Sequence, residues 1–135
     1  MNNWIKVAQI SVTVINEVID IMKEKQNGGN SMKINRYITR GISEQLSLDL
    51  QILLWNMVKD RDNQLNTDYL HIFKLQEDDN MLSITHEQEQ PAYKLEYHYT
   101  KLYIKNQNAL PKKVYVIRED DVDAFYYVML LPEEY

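Results

Sequence analysis

A chain of 135 residues with 44% apolar and 26% charged side chains has room for one domain with a real hydrophobic core, and this usage excludes disorder over its whole length. There is no cysteine, which excludes disulfides, thiolate zinc sites and cysteine nucleophiles and fits a reducing cytoplasm. A formal charge of −5 argues against duplex binding, because proteins that grip phosphates carry a basic surplus.

At the N-terminus, Trp4, Val7, Ala8, Ser11, Val14, Ile15, Val18, Ile21 and Met22 recur at helical spacing. Residues 1–25 therefore read as an amphipathic helical extension, although Ile10 to Val14 also alternates like a strand. Lys6, Gln9, Asn16, Glu17 and Asp20 make the stretch too polar for a membrane span. It has no basic start and no small-residue cleavage site, so it does not read as a signal peptide. Residues 26–31, Gln-Asn-Gly-Gly-Asn-Ser, have the composition of a flexible linker. Gly28-Gly29 just ahead of Met32 is what a purine-rich ribosome-binding sequence gives when translated in frame. Met32 is thus a candidate second start, with an ordinary appended helix as the plainer explanation. In either case the apolar stripe needs a cover, from the core domain or from a second copy in a homodimer.

Residues 32–135 form the expected core domain. Arg36 to Arg40 is a short β-prone run ending at Gly41, a turn signal. Ser47 has the chemistry of an N-cap, with Asp49 in the first helical turn, where negative charge is favoured. Leu50, Leu53, Leu54, Met57 and Val58 make the stripe of that helix, which the polar run from Lys59 to Asn66 ends. Strands are predicted at Tyr69 to Leu75, Met81 to His86, Tyr93 to Thr100, Val114 to Ile117 and Phe125 to Leu131. Leu102-Tyr103-Ile104 is a candidate continuation of the third of these. Short connections imply antiparallel neighbours. The expected fold class is α+β, one antiparallel sheet of five or six strands with a helix packed on one face, plus the N-terminal helix.

The chemistry-bearing residues are few. The three glycines, Gly28, Gly29 and Gly41, cannot make a phosphate-cradling loop or a nucleophile elbow. Ser43 and Ser47 are explained by turn and cap roles. His71, His86 and His98 fall in predicted strands, so they are weak metal candidates if they converge. Glu87 and Glu89 would share one strand face, as acid–base pairs do, but glutamates flanking a turn are mostly solvated. Glu119, Asp120, Asp121 and Asp123 form an acidic cluster that is either a solvated loop or a phosphate-like partner surface. Arg36 and Arg40 around Tyr37, with Lys33 nearby, are a basic-aromatic group of the kind that stacks on nucleic acid.

Several blocks then resemble a known family. They are Arg36-Tyr37-Ile38-Thr39-Arg40-Gly41-Ile42, Leu48-Asp49-Leu50-Gln51-Ile52-Leu53-Leu54-Trp55, Asp68-Tyr69-Leu70-His71-Ile72-Phe73, His86-Glu87-Gln88-Glu89-Gln90-Pro91-Ala92-Tyr93 and the closing Met129-Leu130-Leu131-Pro132-Glu133-Glu134-Tyr135. In order and spacing, from about residue 35 to the end, they resemble the domain-of-unknown-function 960 family. The chain departs from it at Ser47, where the family tends to have Pro, and at Pro132, where it tends to have Ala. The extension before Met32 has no counterpart. The resemblance implies a small cytosolic protein of Gram-positive bacteria and their mobile elements, and carries over no activity or site residue.

The leading expectation is a non-enzymatic protein-interaction module that needs no cofactor and has a protein partner. Arg36, Arg40, Glu87, Glu89, Asp120, Asp121 and Asp123 are the candidate contact residues. One alternative is a mobile-element inhibitor of a bacterial defence nuclease, anti-CRISPR-like, whose acidic surface blocks a nucleic-acid channel. Another is a small metal-dependent hydrolase using the strand histidines. Nucleic acid and membranes are not expected partners.

Overall fold

The computed structural model describes residues 35–64, 67–100, 109–120, 122 and 124–135. The predicted N-terminal helix, the linker and the Leu102 to Ile104 continuation lie outside the described residues.

Strand β1 (Asn35–Ile38) leads into a short helix α1 (Arg40–Gln45) and then the long helix α2 (Leu48–Asp62). Strands β2 (Leu70–Glu77), β3 (Met81–Gln88), β4 (Tyr93–Thr100), β5 (Lys113–Asp120) and β6 (Phe125–Leu130) follow, and a 3-10 turn at Pro132–Glu134 closes the chain. All six strands form one sheet in the order β1-β6-β5-β2-β3-β4.

The sheet is mixed rather than wholly antiparallel, because β1 runs parallel to β6. Every other neighbouring pair is antiparallel. Following the pairings across, β1 also runs parallel to β2, so the chain between them is a crossover, and α1 and α2 supply it. Short connections do specify antiparallel neighbours, as read from the sequence. The first connection is long and helical, and there the inference does not hold.

Gly41 lies inside α1 rather than in a turn. The helix is capped by Thr39, whose hydroxyl accepts from the amide of Ile42. The Glu134 carboxylate then accepts from the Thr39 hydroxyl at 2.6 Å and from the Gly41 amide at 3.1 Å. A Cβ at Gly41 would sit 2.8 Å from that carboxylate, so close approach, not a turn, calls for glycine here.

Helix α2 begins as its sequence predicts. Ser47 is the N-cap, its hydroxyl accepting from the amide of Leu50, and Asp49 stands in the first turn. The helix runs on to Asp62, beyond the predicted stop at Lys59. Lys59 and Arg61 in its last turn complement the helix dipole, so this part of the polar run suits the helix end.

Leu50, Leu54, Trp55, Met57 and Val58 of α2 join Phe73, Leu75, Leu82, Ile84, Val114, Val116, Tyr127 and Met129 of the sheet in one buried cluster. Ile42 and Leu46 of the α1 region join it too, so both described helices cover the same, inner face. Ile117, Val128 and Leu130 are also buried but stand outside that cluster, on the outer face. The registers put Tyr37, Tyr115 and Tyr126 on that same face. Its far half, on β3 and β4, is polar: Ser83, Thr85 and Glu87 face His98, Glu96 and Lys94. No described helix is long and apolar enough to cross a membrane.

Candidate functional site

The inner face carries apolar side chains along most of its length, but at the C-terminal end of α2 it becomes polar. Leu50, Leu54 and Val58 repeat at i, i+4, and the next step of that ladder is Asp62. The helix therefore delivers a carboxylate to the sheet along its own apolar stripe.

Three strands meet it there. His71 of β2 places Nε2 3.3 Å from Asp62 Oδ1, an ion-pair distance rather than an aligned hydrogen bond. His71 Nδ1 lies 2.8 Å from Nε2 of His86 on β3. The Tyr127 hydroxyl of β6 donates to Asp62 Oδ2. Neither imidazole keeps any accessible surface.

A proton on His71 Nε2 faces the Asp62 carboxylate. Where His71 Nδ1 accepts across the contact with His86, His86 donates from Nε2 and its own Nδ1 is left as a bare lone pair. That atom is buried and has no partner, which suits an acceptor better than an N–H in an apolar setting. The surroundings are apolar indeed: Phe73 stacks on His86 with ring centroids 4.4 Å apart.

The ionisation states follow from the same contacts. Burial, with the neighbouring His71 adding to it, pushes the His86 imidazole down to about 3. Burial raises the Asp62 carboxyl, but His71, the Tyr127 hydroxyl and the Thr67 hydroxyl outweigh it and hold the group below its ordinary value. Tyr127 is pushed up, by burial first and then by donating to an anion. At neutral pH the chain is therefore one carboxylate, a neutral His86 and a neutral phenol.

Asp62 and Tyr127 also line a cleft of about 120 Å³ with Arg36, Lys59, Arg118 and Phe125. Arg118 lies over the Phe125 ring at 4.0 Å and bonds Asp120 at 3.1 Å. This cleft is where the chain comes nearest to solvent. A proton could pass along Asp62, His71 and His86, but the two imidazoles are sealed, and an imidazole held near 3 is a poor base at pH 7.

The sequence-predicted residues scatter around this geometry. His71 and His86 meet, whereas His98 is exposed on the outer face, with Nδ1 3.1 Å from the Ser83 hydroxyl. Among the described residues no group of three His, Asp or Glu side chains could hold a metal ion. Arg36 is buried in the cleft, Tyr37 points to the opposite face, and Arg40 is exposed on α1, paired with Glu44 at 2.8 Å. They form no shared basic-aromatic surface. Glu87 lies on the outer face 2.9 Å from Lys74 and 3.9 Å from Lys94, while Glu89 is in the turn after β3. Asp120 is bound to Arg118. Asp121 and Asp123 lie outside the described residues.

The segment from His86 to Pro91 turns out to be a structural knot. Gln88 is buried, accepting from Arg61 Nε at 2.7 Å and donating to the carbonyls of Asp68 and Leu70. The Asp68 carboxylate accepts from the amides of Glu89 and Gln90. Arg61 lies over the Tyr93 ring at 3.9 Å. Sequence reasoning missed Asp62, Tyr127, Arg61 and Gln88. For Asp62 a signal existed, the i+4 ladder. For the others none did, because a tyrosine in an apolar strand and a glutamine in a polar run are ordinary.

A protein-family model described as "Staphylococcal protein of unknown function", the domain-of-unknown-function 960 family, matches residues 35–134. The chain belongs to this family. Its His86 to Pro91 block is therefore one whose side chains close the β3–β4 end of the fold around Arg61 and Asp68. A crystal structure of a protein of unknown function from Enterococcus faecalis is similar, with a TM-score of 0.58 and 16% identity. The likeness covers 74% of this chain and 89% of that one, and it shows the fold alone. No curated protein matches the chain.

Proposed function

We propose that this member of the family is a non-enzymatic interaction module, acting in the cytoplasm, that takes an extended segment of a partner protein along strand β4. The observation that carries this is the make-up of that strand. Among the described residues β4 is the outermost strand on its side of the sheet, and it is eight residues long. Its inner row is Tyr93, Leu95, Tyr97 and Tyr99, and Leu95 is 43% exposed. Tyr97 and Tyr99 are stacked at 6.3 Å and half-buried against the rim of the core. An outermost strand offers backbone groups to an added strand, and half-buried rings with an exposed leucine beside them give side-chain pockets. Tyrosine supplies contact area at low entropic cost, which suits a binding surface.

The sealed histidines support the same reading, since imidazoles that no substrate can touch serve packing rather than catalysis. The acidic-surface reading has less to draw on, because Asp120 is already engaged by Arg118. The metal-hydrolase reading has two histidines together and the third on the other face.

The test is affinity capture from the native host with the tagged full chain, alongside Leu95→Arg and Arg40→Ala. A protein retained by the wild type and Arg40→Ala, and lost with Leu95→Arg, is the expected result. A captured set that Leu95→Arg leaves unchanged rejects β4 as the contact.

A further inference from the structure

The outer face of the sheet holds a buried apolar patch that the described helices do not account for. Val128 and Leu130 keep no accessible surface and Ile117 keeps 5%. The buried apolar residues of both helices are spent on the opposite face. Around the patch Tyr37 and Tyr126 meet edge to face at 5.5 Å. Tyr115 meets Tyr135 of the closing turn at 6.0 Å. We propose that the patch is the seat of the chain's own N-terminal segment, residues 4–22, docked as a helix across β1, β6 and β5.

Three observations select this occupant. The first is where the chain comes from. The 34 residues before β1 join it at Asn35, whose register partner is Tyr126, so the segment enters at the border of the patch. The second is pattern. The stripe from Trp4 to Met22 recurs at helical spacing, and an apolar helical stripe and an apolar sheet face each need a cover.

The third is size. A helix of this segment would be about 28 Å long at 1.5 Å per residue. Strands of four, six and eight residues offer a face of up to roughly 25 Å along the strands. The linker can turn the helix back, because the chain between it and Asn35 reaches up to about 40 Å when extended. Tethering places the segment at an effective concentration near the millimolar range, ahead of any second copy at ordinary protein concentration. Residues 1–25 taken together are charge-balanced, with Lys6, Lys23 and Lys25 against Glu17, Asp20 and Glu24.

The decisive measurement uses the unmodified full chain with labelled Ile, Leu and Val methyls. Nuclear Overhauser contacts are expected between Val7, Val14 or Val18 and Val128, Leu130 or Ile117. A second sample, mixed from differently labelled chains, should show none of them between chains. Contacts found only between chains assign the patch to a second copy, and no contacts in either sample leave the segment elsewhere; both overturn the proposal. Because the chain lacks cysteine, a cross-linking arm is independent of these spectra. Ser11→Cys with Val128→Cys should link within one chain through a short bismaleimide. Ser11→Cys with Ser83→Cys, on the polar half of the same face, should not, and equal linking of the two pairs also rejects the seat.

Discussion

The two faces of the sheet bury their side chains by different rules. The inner face lies under α2 and mixes aliphatic packing with a charged and aromatic seam, Asp62, His71, His86 and Tyr127. The outer face is split, with tyrosines and aliphatics on β1, β6 and β5 and an ordinary solvated lattice on β3 and β4. The sequence period treats both faces alike, since each alternates along every strand. The difference lies in what stands opposite. A helix that ends in a carboxylate gives the inner face a partner for the His71 imidazole and the Tyr127 hydroxyl. The polar half of the outer face has water and surface ion pairs instead.

The comparison is sharpest at Phe73. It has no exposed surface and lies between the aliphatic core and the His86 ring. Phe73→Ala should cost about 3–5 kcal/mol in urea unfolding. A loss below about 1 kcal/mol would mean that the inner face is not the main core.

Next comes the carboxylate. Asp62→Ala leaves the Tyr127 hydroxyl and His71 Nε2 buried without their partner, an expected loss of about 2–4 kcal/mol. Combining it with Tyr127→Phe should cost less than the sum of the two single losses, because the two groups serve one contact.

Acid should expose the same seam. His86 sits near 3 in the folded chain and near its ordinary value of about 6.5 when unfolded, so between those values the unfolded chain binds more protons. Its contribution is fully present above about pH 6.5 and is lost as pH falls toward 3, at up to about 1.4 kcal/mol per pH unit. The depressed Asp62 carboxyl adds a further loss below the ordinary carboxylate range. Denaturation series between these limits should show the slope, and His86→Phe should flatten its upper part. A wild-type profile already flat there would contradict the sealed, neutral imidazole.

The smallest effect belongs to the outer lattice. Lys74→Ala removes a 2.9 Å pair with Glu87 at a half-exposed site. It should change stability by less than about 1 kcal/mol, and by less still in high salt. A cost comparable to that of Asp62→Ala would erase the distinction between the faces.

Much of this fold was readable from local chemistry. Ser47 with Asp49 marks the start of α2, and alternation in Tyr93 to Thr100 assigns each residue of β4 to its face. These signals depend on neighbours a few positions away, so they survive without tertiary context. The candidate site was less legible. His71 and His86 were visible as strand histidines, but their meeting depends on the β2–β3 register, and the third histidine faces the other way by one step of parity.

By itself the sequence determined the α+β class, the capped helix, most of the strands and the family. Tertiary structure alone decided the rest. Position 41 takes glycine because a carboxylate 93 positions later occupies the space where a Cβ would go. β1 joins the sheet in parallel because helices carry the chain across the inner face before β2. Asp62 continues an apolar stripe, rather than ending it in water, because two buried imidazoles and a phenol wait at that height of the sheet. Each of these rests on a contact between distant parts of the chain, which no local pattern of residue types can encode.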